Sequence, residues 1–448
     1  KYLNKNLECE SFLRGFNNNL FSLFESHYKH LDINNSIKSL FKGDFVNKTE
    51  NQAALHHIYR GLYTTTQNNF ASKDLTHACL LSIENCISLK EKLLKKGIKN
   101  IVTIGIGGSY EGPKLLIETL TNKHKRTFNH IFLTGPDIKE FDEVIRPLKQ
   151  DETFFIVSSK SFSTDETLQS MNLCKTWLKK KYKFNDYFLA ITSQPSKAKK
   201  FGFKDNIIEF PNEIGGRYSI WSPISLPAIL ELGEDFKDFL RGGHEADHLL
   251  LTDKEYNKFV NLLSFTDIWY NNFVDKHVRV LLIYSWKMKY FSNYAQQLEM
   301  ESIGKISNKK SIFKNTGQII FGGFGSTAQH SYFQLLHQGT ASVCADIFTI
   351  EENIKSNKLL YAQFQAQSYL LANGKNSDLK LHEQVNANVP INLFTLKKLN
   401  PKTLGFLIAT WEHRTFVTAN MLQINPFDQF GVIAGKIFTK KYLLKNGG

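Results

Sequence analysis

Apolar residues recur along this chain in two rhythms. In SFLRGFNNNLFSLFESHYKHL (11–31) and NQAALHHIYRGLY (51–63) they fall three and four apart, the spacing of an amphipathic helix. From 76 to about 233, short continuous apolar runs alternate with helical stretches. A helix over 76–96 leads into IVTIG (101–105), and one over 113–121 into HIFLTG (130–135). A helix over 138–149 leads into TFFIVSS (153–159), and one over 165–180 into YFLAITS (187–193). Runs that are apolar on both faces and alternate with helices predict a mostly parallel, doubly wound sheet.

The alternation resumes from about 256. VRVLLIYS (278–285), QIIFGG (318–323) and SVCADIFTI (342–350) read as strands. MKYFSNYAQQLEME (288–301) and AQHSYFQLLHQ (328–338) read as helices, with more helices to the end. GEDFKDFLRGGHEADHLL (233–250) bridges the two regions as a helix. The pattern therefore predicts an α/β chain in three parts. These are a helical N-terminal segment (1–75), a first αβα domain (76–233) and a second αβα domain (234–448) holding the bridge and the C-terminal helices. A length of 448 residues, 42% of them hydrophobic and 36 of them Phe, suits two such cores.

Charge changes this picture little. Lys and Arg exceed Asp and Glu by 56 to 42. The one dense basic run, KTWLKKKYKF (175–184), reads as a helix end and lacks the arginine–aromatic interleaving of a nucleic-acid reader. Cys9, Cys79, Cys86, Cys174 and Cys344 are scattered with no C-x-x-C pair, so neither a zinc site nor a disulfide framework is suggested. No apolar run approaches the roughly 18 residues of a membrane span, and KYLNKNLECE has no signal-peptide core. The expectation is a cytoplasmic protein with no nucleic-acid or membrane partner.

In doubly wound sheets ligands bind beyond the C-terminal strand ends. After the first strand come Gly105, Gly107, Gly108 and Ser109, but Tyr110 stands where a dinucleotide fingerprint needs its third glycine. The turn instead lets a small polar ligand approach a helix N-terminus. The third strand leads into SSKSFSTDETLQ (158–169), rich in hydroxyls and suited to phosphate. Ser163-x-x-Glu166 also reads as a capping box, which leaves Ser159, Ser161 and Thr164 free. Further on, GGRYSIWSPIS (215–225) places Arg217 after Gly215 and Gly216, where it could face a developing oxyanion or sit in a surface turn. QQLEMESIGK (296–305) ends a helix on Glu301, and His330 and His337 lie seven apart on one helical face. NPFDQFGVIAGK (425–436) ends on Lys436.

In this order the six motifs, from 105 to 436, resemble the phosphoglucose isomerase family. Gly-Gly-Arg-Tyr-Ser and Phe-Asp-Gln-x-Gly-Val-x-x-Gly-Lys are specific to it. The resemblance implies two sugar-isomerase (SIS-type) αβα sandwich domains and a short, bacterial-type form without a long C-terminal arm. It implies a homodimer that interconverts glucose 6-phosphate and fructose 6-phosphate, in glycolysis and gluconeogenesis, with no metal or other cofactor. By match to the motifs, Glu301 is the base that works through a cis-enediol(ate), and Arg217 stabilises its negative charge. His330, reaching into the neighbouring subunit's site, and Lys436 open the sugar ring, and Glu166 orients the histidine. Gly108, Ser109, Ser159, Lys160, Ser161, Thr164 and Gly216 match the sugar-phosphate pocket, with Gln297 and Gln429 as its polar wall. Ser161 and Ser163 replace the family's usual threonines, and Ile303 stands where Asn is usual. LTGPDI keeps only Asp137 of the family pattern, and Ser326-Thr327 replaces Thr-Asn. These departures touch local hydrogen bonding and leave every chemical group in place. The competing readings are a sugar-phosphate-sensing regulator, a basic nucleic-acid binder, and an isomerase acting on mannose 6-phosphate.

Overall fold

The computed structural model describes residues 1–64, 72–375, 379–386 and 388–445. Its two sheets follow the two alternating regions. Strands β3 (Asn100–Ile104), β4 (Asn129–Leu133), β5 (Thr153–Ser158), β6 (Phe188–Thr192) and β7 (Ile207–Glu209) form one parallel sheet in the order β4-β3-β5-β6-β7. Strands β5 and β6 are buried along their whole length, as their unbroken apolar runs require. The second sheet runs β1-β2-β11-β10-β8-β9. Here β8 (Val278–Ile283), β9 (Ile319–Phe324), β10 (Val343–Ile350) and β11 (Ile391–Leu396) are mutually parallel.

Two parts of this sheet depart from the sequence reading. The N-terminal segment is not helical throughout. Tyr2–Leu3 (β1) and Leu7–Phe12 (β2) are antiparallel strands, and β2 pairs with β11. Leu7 and Cys9 face inward while Glu8 and Glu10 alternate with them, a period of two that six residues carry only faintly. The strand β11 was also not anticipated. Shorter differences follow from local stops. The helix expected over 138–149 ends at Val144, and AQHSYFQLLHQ is broken into Gly325–Gln329 and Phe333–Gln338 with His330 at the break.

A helix over Pro401–Met421, with Pro401 in its first turn and Asn400 accepting the Thr403 N–H at 2.9 Å, runs buried through the centre. It carries Glu412, His413 and Arg414 into the core, and each finds an ionisable partner. Arg414 donates to Asp267 and Asp346, and Arg279 reaches Asp267, Asp346 and Glu299. Trp411 donates to the other Glu299 oxygen at 2.7 Å. A second knot joins Arg60 to Asp247 (2.8 Å) and Glu412 (2.6 Å), with His413 on Asp247 and Trp221 on Glu412. Buried charges are tolerated when paired in this way, and breaking one pair costs about 3–5 kcal/mol. All five cysteines are buried and free, and burial pushes each thiol up.

The second knot makes stability pH-dependent. Burial pulls His56, His57 and His413 below the usual imidazole value, His57 to about 4. Between about pH 6.5 and 4 the unfolded chain takes protons that the native state refuses, so stability falls on acidification. Glu412, pushed up to about 7 by burial, works the other way, and its contribution is lost as pH rises through that value. Three imidazoles outweigh one carboxyl. Urea unfolding should show lower stability at pH 5 than at pH 6.5, and His57→Gln should flatten that dependence by about 2 kcal/mol. An unchanged slope in the variant would contradict the assignment.

Candidate active site

The C-terminal edge of the first sheet carries two loops packed backbone to backbone. After β3 the chain turns through Gly107–Ser109, against a second turn, Gly216–Trp221. A Cβ on Gly108 would lie 1.9 Å from the Gly216 carbonyl oxygen, so this approach requires glycine. A Cβ on Gly216 would meet nothing within 4 Å, which leaves open space beside Arg217.

After β5 comes the hydroxyl loop. Phe162 sits at φ +46°, a conformation unfavourable for an aromatic residue by about 1–2 kcal/mol. Its buried ring offsets this by packing against Phe201 (5.7 Å) and Phe203 (5.6 Å). The Ser159 N–H donates to Ile191 at 3.0 Å, and the Lys160 carbonyl accepts from Ser193 and Thr192. The anchored Phe162 leaves Ser161 and Ser163 exposed, with the Ser163 hydroxyl donating to Ser161 at 2.9 Å. The expected Ser163–Glu166 capping box does not form. The helix Asp165–Trp177 takes Thr164 as its N-cap, so Glu166 falls one position too early to reach back. Burial lowers the Lys160 ammonium, against the pull of Glu50 and Glu213.

The helix Phe291–Ile303 delivers the carboxylate. Glu301 stands in its last turn with Gln297 one turn earlier, Nε2 to Oε1 3.4 Å. Facing them, Arg217 is buried and uses all five of its N–H donors. Nε donates to Ser302 Oγ (2.8 Å), and Nη1 donates to Glu301 Oε2 (3.3 Å) and Gln429 Oε1 (3.1 Å). Nη2 donates to the Pro426 (2.5 Å) and Asp428 (2.8 Å) carbonyls. The Nη1 bonds reach toward the open side and the longest of the five is to Glu301, so Nη1 can exchange a protein acceptor for a ligand oxygen. Such an exchange suits charge developing on a small anion in a water-poor site.

The structure therefore gathers Gly108, Gly216, Arg217, Gln297, Glu301 and Gln429. No hydrogen bond or ion pair among the described residues joins His330, Lys436 or Glu166 to them. His330 is exposed at the break between its two short helices. Lys436 lies on the helix Phe430–Lys445, where no residue is buried. Neither these two nor Glu166 makes a side-chain hydrogen bond or ion pair among the described residues. Lys440, one turn beyond Lys436, reaches Asp165 at 3.8 Å, which puts this helix beside the start of the Glu166 helix. Four residues that sequence reading passed over also belong here. Ser302 and Tyr218 bond each other at 3.0 Å behind Arg217, and Lys305 bonds Asp428 at 2.7 Å. The only sequence signal for them is adjacency to Glu301, Arg217 and Gln429.

The two glycines separate sterically. Gly108→Ala should lower the melting temperature sharply and destabilise by about 3 kcal/mol or more, because backbone must move. Gly216→Ala should unfold like the wild type but weaken ligand binding. Equal stability of Gly108→Ala and wild type would contradict the packed-loop geometry.

Comparison with known proteins identifies the family. The family model for phosphoglucose isomerase matches residues 14–446. The glucose-6-phosphate isomerase of Wigglesworthia glossinidia brevipalpis is 36% identical, over 92% of this chain and 81% of that protein. That of Legionella pneumophila (strain Lens) is 34% identical, over 91% of this chain and 84% of that protein. In fold, the crystal structure of a glucose-6-phosphate isomerase from Chlamydia trachomatis superposes with a TM-score of 0.90 at 24% identity, covering 99% of this chain and 90% of that one. On its motifs, its fold and this match across nearly its whole length, the chain belongs to the phosphoglucose isomerase family.

Proposed function

We propose that this chain interconverts glucose 6-phosphate and fructose 6-phosphate, with Glu301 as the base. The observation that carries the reading is the convergence of Glu301, Gln297, Arg217 Nη1 and Gln429 beside the Gly107–Ser109 turn. The loop of Ser159, Lys160, Ser161 and Thr164, with Ser109, holds the phosphate dianion through hydroxyls and main-chain N–H groups. Moving the carbonyl between C1 and C2 requires one group that lifts a proton from C2 and returns it to C1. Glu301 is placed for this, with an exposed enough carboxylate to reach a ligand. Negative charge on the enediolate oxygens is met by Arg217 Nη1, which exchanges an acceptor within its present plane. Gly216 leaves the sugar room beside it.

Ring opening needs a proton shuttle, assigned to His330 and Lys436, with Glu166 orienting the histidine. We infer that the working unit is a cytoplasmic homodimer in which the partner subunit's His330 completes each site. An exposed His330 side chain supports this. So does the helix Phe430–Lys445, which exposes Phe430, Val432, Ile437, Phe438 and Leu444. A helix without a buried face gains little stability alone, and a second copy would cover it.

Glu301→Gln should leave substrate binding nearly intact and lower turnover of fructose 6-phosphate by about a thousandfold or more. A variant that keeps a tenth of the rate would remove Glu301 from the role. Mixing Glu301→Gln with His330→Ala chains and allowing exchange should restore about a quarter of wild-type activity, because half of the dimers then hold one intact site. No recovery, with exchange confirmed by mass-tagged chains, would show that the site is not shared through His330.

A further inference from the structure

The motifs that carry Glu301 and Gln429 each hold a charged residue that the isomerisation chemistry leaves unused. These are Lys305 and Asp428, both largely buried. Lys305 Nζ donates to Asp428 Oδ1 at 2.7 Å and also to the Asp428 main-chain carbonyl. That carbonyl is one of the two that hold Arg217 Nη2. From the other side, Asp428 Oδ2 accepts from Thr49 Oγ1 at 2.6 Å and from Asn425 Nδ2 at 3.0 Å, and Asn425 Nδ2 also reaches Asn47 Oδ1 at 2.8 Å. Three distant segments, 47–52, 301–305 and 425–429, are thus joined at one carboxylate.

We propose that Lys305 and Asp428 are positioning residues for the isomerisation, whose ion pair holds the 426–429 segment so that Arg217 presents Nη1, with Gln429 beside it, to the reacting oxygens. The physical argument concerns the plane of the guanidinium. Nε is fixed by Ser302 and Nη2 by two main-chain carbonyls of a segment outside regular secondary structure. Carbonyls in such a segment are only as fixed as the side chains that tie it down. From the chain that follows Glu301, Lys305 is the direct side-chain tie to residues 426–429, with Asn308 holding the Gln423 carbonyl at 2.7 Å further back, and Arg217 reaches the Pro426 and Asp428 carbonyls from the facing turn. Without Lys305 the 426–428 carbonyls can drift, and the guanidinium is free to turn toward Glu301 as a two-bonded pair. That would misalign both the stabilising donor and the base. A shift of about 1 Å at such a donor can lower rate about a hundredfold.

The inference rests on the roles given above to Glu301 and Arg217. Its test compares Lys305→Met, Asp428→Asn, Thr49→Val and Lys305→Arg with wild type and Glu301→Gln, assayed well below each melting temperature. Lys305→Met and Asp428→Asn should lower kcat about 10- to 100-fold with KM within about threefold. They should also weaken a phosphorylated aldonohydroxamate, a mimic of the enediolate, by at least about tenfold, since the lost interaction belongs to the transition state. Lys305→Arg should recover most of the rate. Thr49→Val, the mildest change, should lower kcat about threefold and serves if the others fold poorly. A purely structural ion pair would lower the melting temperature and leave kcat and analogue affinity unchanged, and that outcome overturns the proposal. If wild type isomerises and Glu301→Gln does not, full kcat in Lys305→Met and Asp428→Asn overturns this inference alone. If wild type fails to isomerise, or Glu301→Gln stays active, the functional reading falls and this inference with it.

Discussion

A buried guanidinium, that of Arg217, ties the site together. Taking such a cation out of water is unfavourable by several kcal/mol unless its donors are met. Here five donors meet five acceptors, drawn from the helix of Glu301 and the turn before the last helix. Each acceptor carries a structural consequence. Ser302, the residue beside Glu301, fixes Arg217 Nε. The Pro426 and Asp428 carbonyls bring in the C-terminal segment. Gln429 and Glu301 share the Nη end that faces open space. Full satisfaction makes the group a rigid strut, and in the function proposed above it is also the oxyanion donor. It can release a weak partner at Nη1 without disturbing the bonds that set its plane.

Rigidity behind the site has a related origin. Glu299, two residues before Glu301, is clamped between Arg279 and Trp411, so the helix Phe291–Ile303 cannot slide without unpairing a buried charge. The helix Pro401–Met421 supplies Arg414 and Glu412 to the two ionic knots, and through Asp346 and Asp247 it joins the second sheet to the bridge helix Asp235–Thr252. His330 and the whole helix Phe430–Lys445 are exposed. The side of the site that holds Arg217, Glu301, Gln297 and Gln429 is built within one chain. Ring opening, in the function proposed above, calls on a second chain.

Much of this was legible in the residues. The strands β3, β5, β6, β8 and β10 are mostly apolar runs, with Arg279 and Asp346 the charged exceptions in β8 and β10, and such runs buried between helices have few other uses. Family motifs marked the site loops, because their chemistry needs fixed residue types at fixed spacings. What escaped detection depends on contacts between distant segments. The strand β2 is six residues whose partner, β11, lies almost four hundred positions away. Glu299, Arg414 and Asp267 carry no local sign of burial, and only the fold brings them together. The capping box at Ser163 failed because the buried Phe162 ring dictates where the helix starts. Lys305 and Asp428 sat inside quoted motifs, but their bond spans 123 positions and has no local signature.

The central claim is that one carboxylate, Glu301, carries a proton between neighbouring carbons while Arg217 holds the charge. Following the label from glucose 6-phosphate deuterated at C2 tests this most directly. A single base that both removes and returns the proton should deliver part of the deuterium to one face of C1 in fructose 6-phosphate and lose the rest to water. Complete retention of the label, in water and at every extent of reaction, would mean a direct hydride shift and would contradict the account.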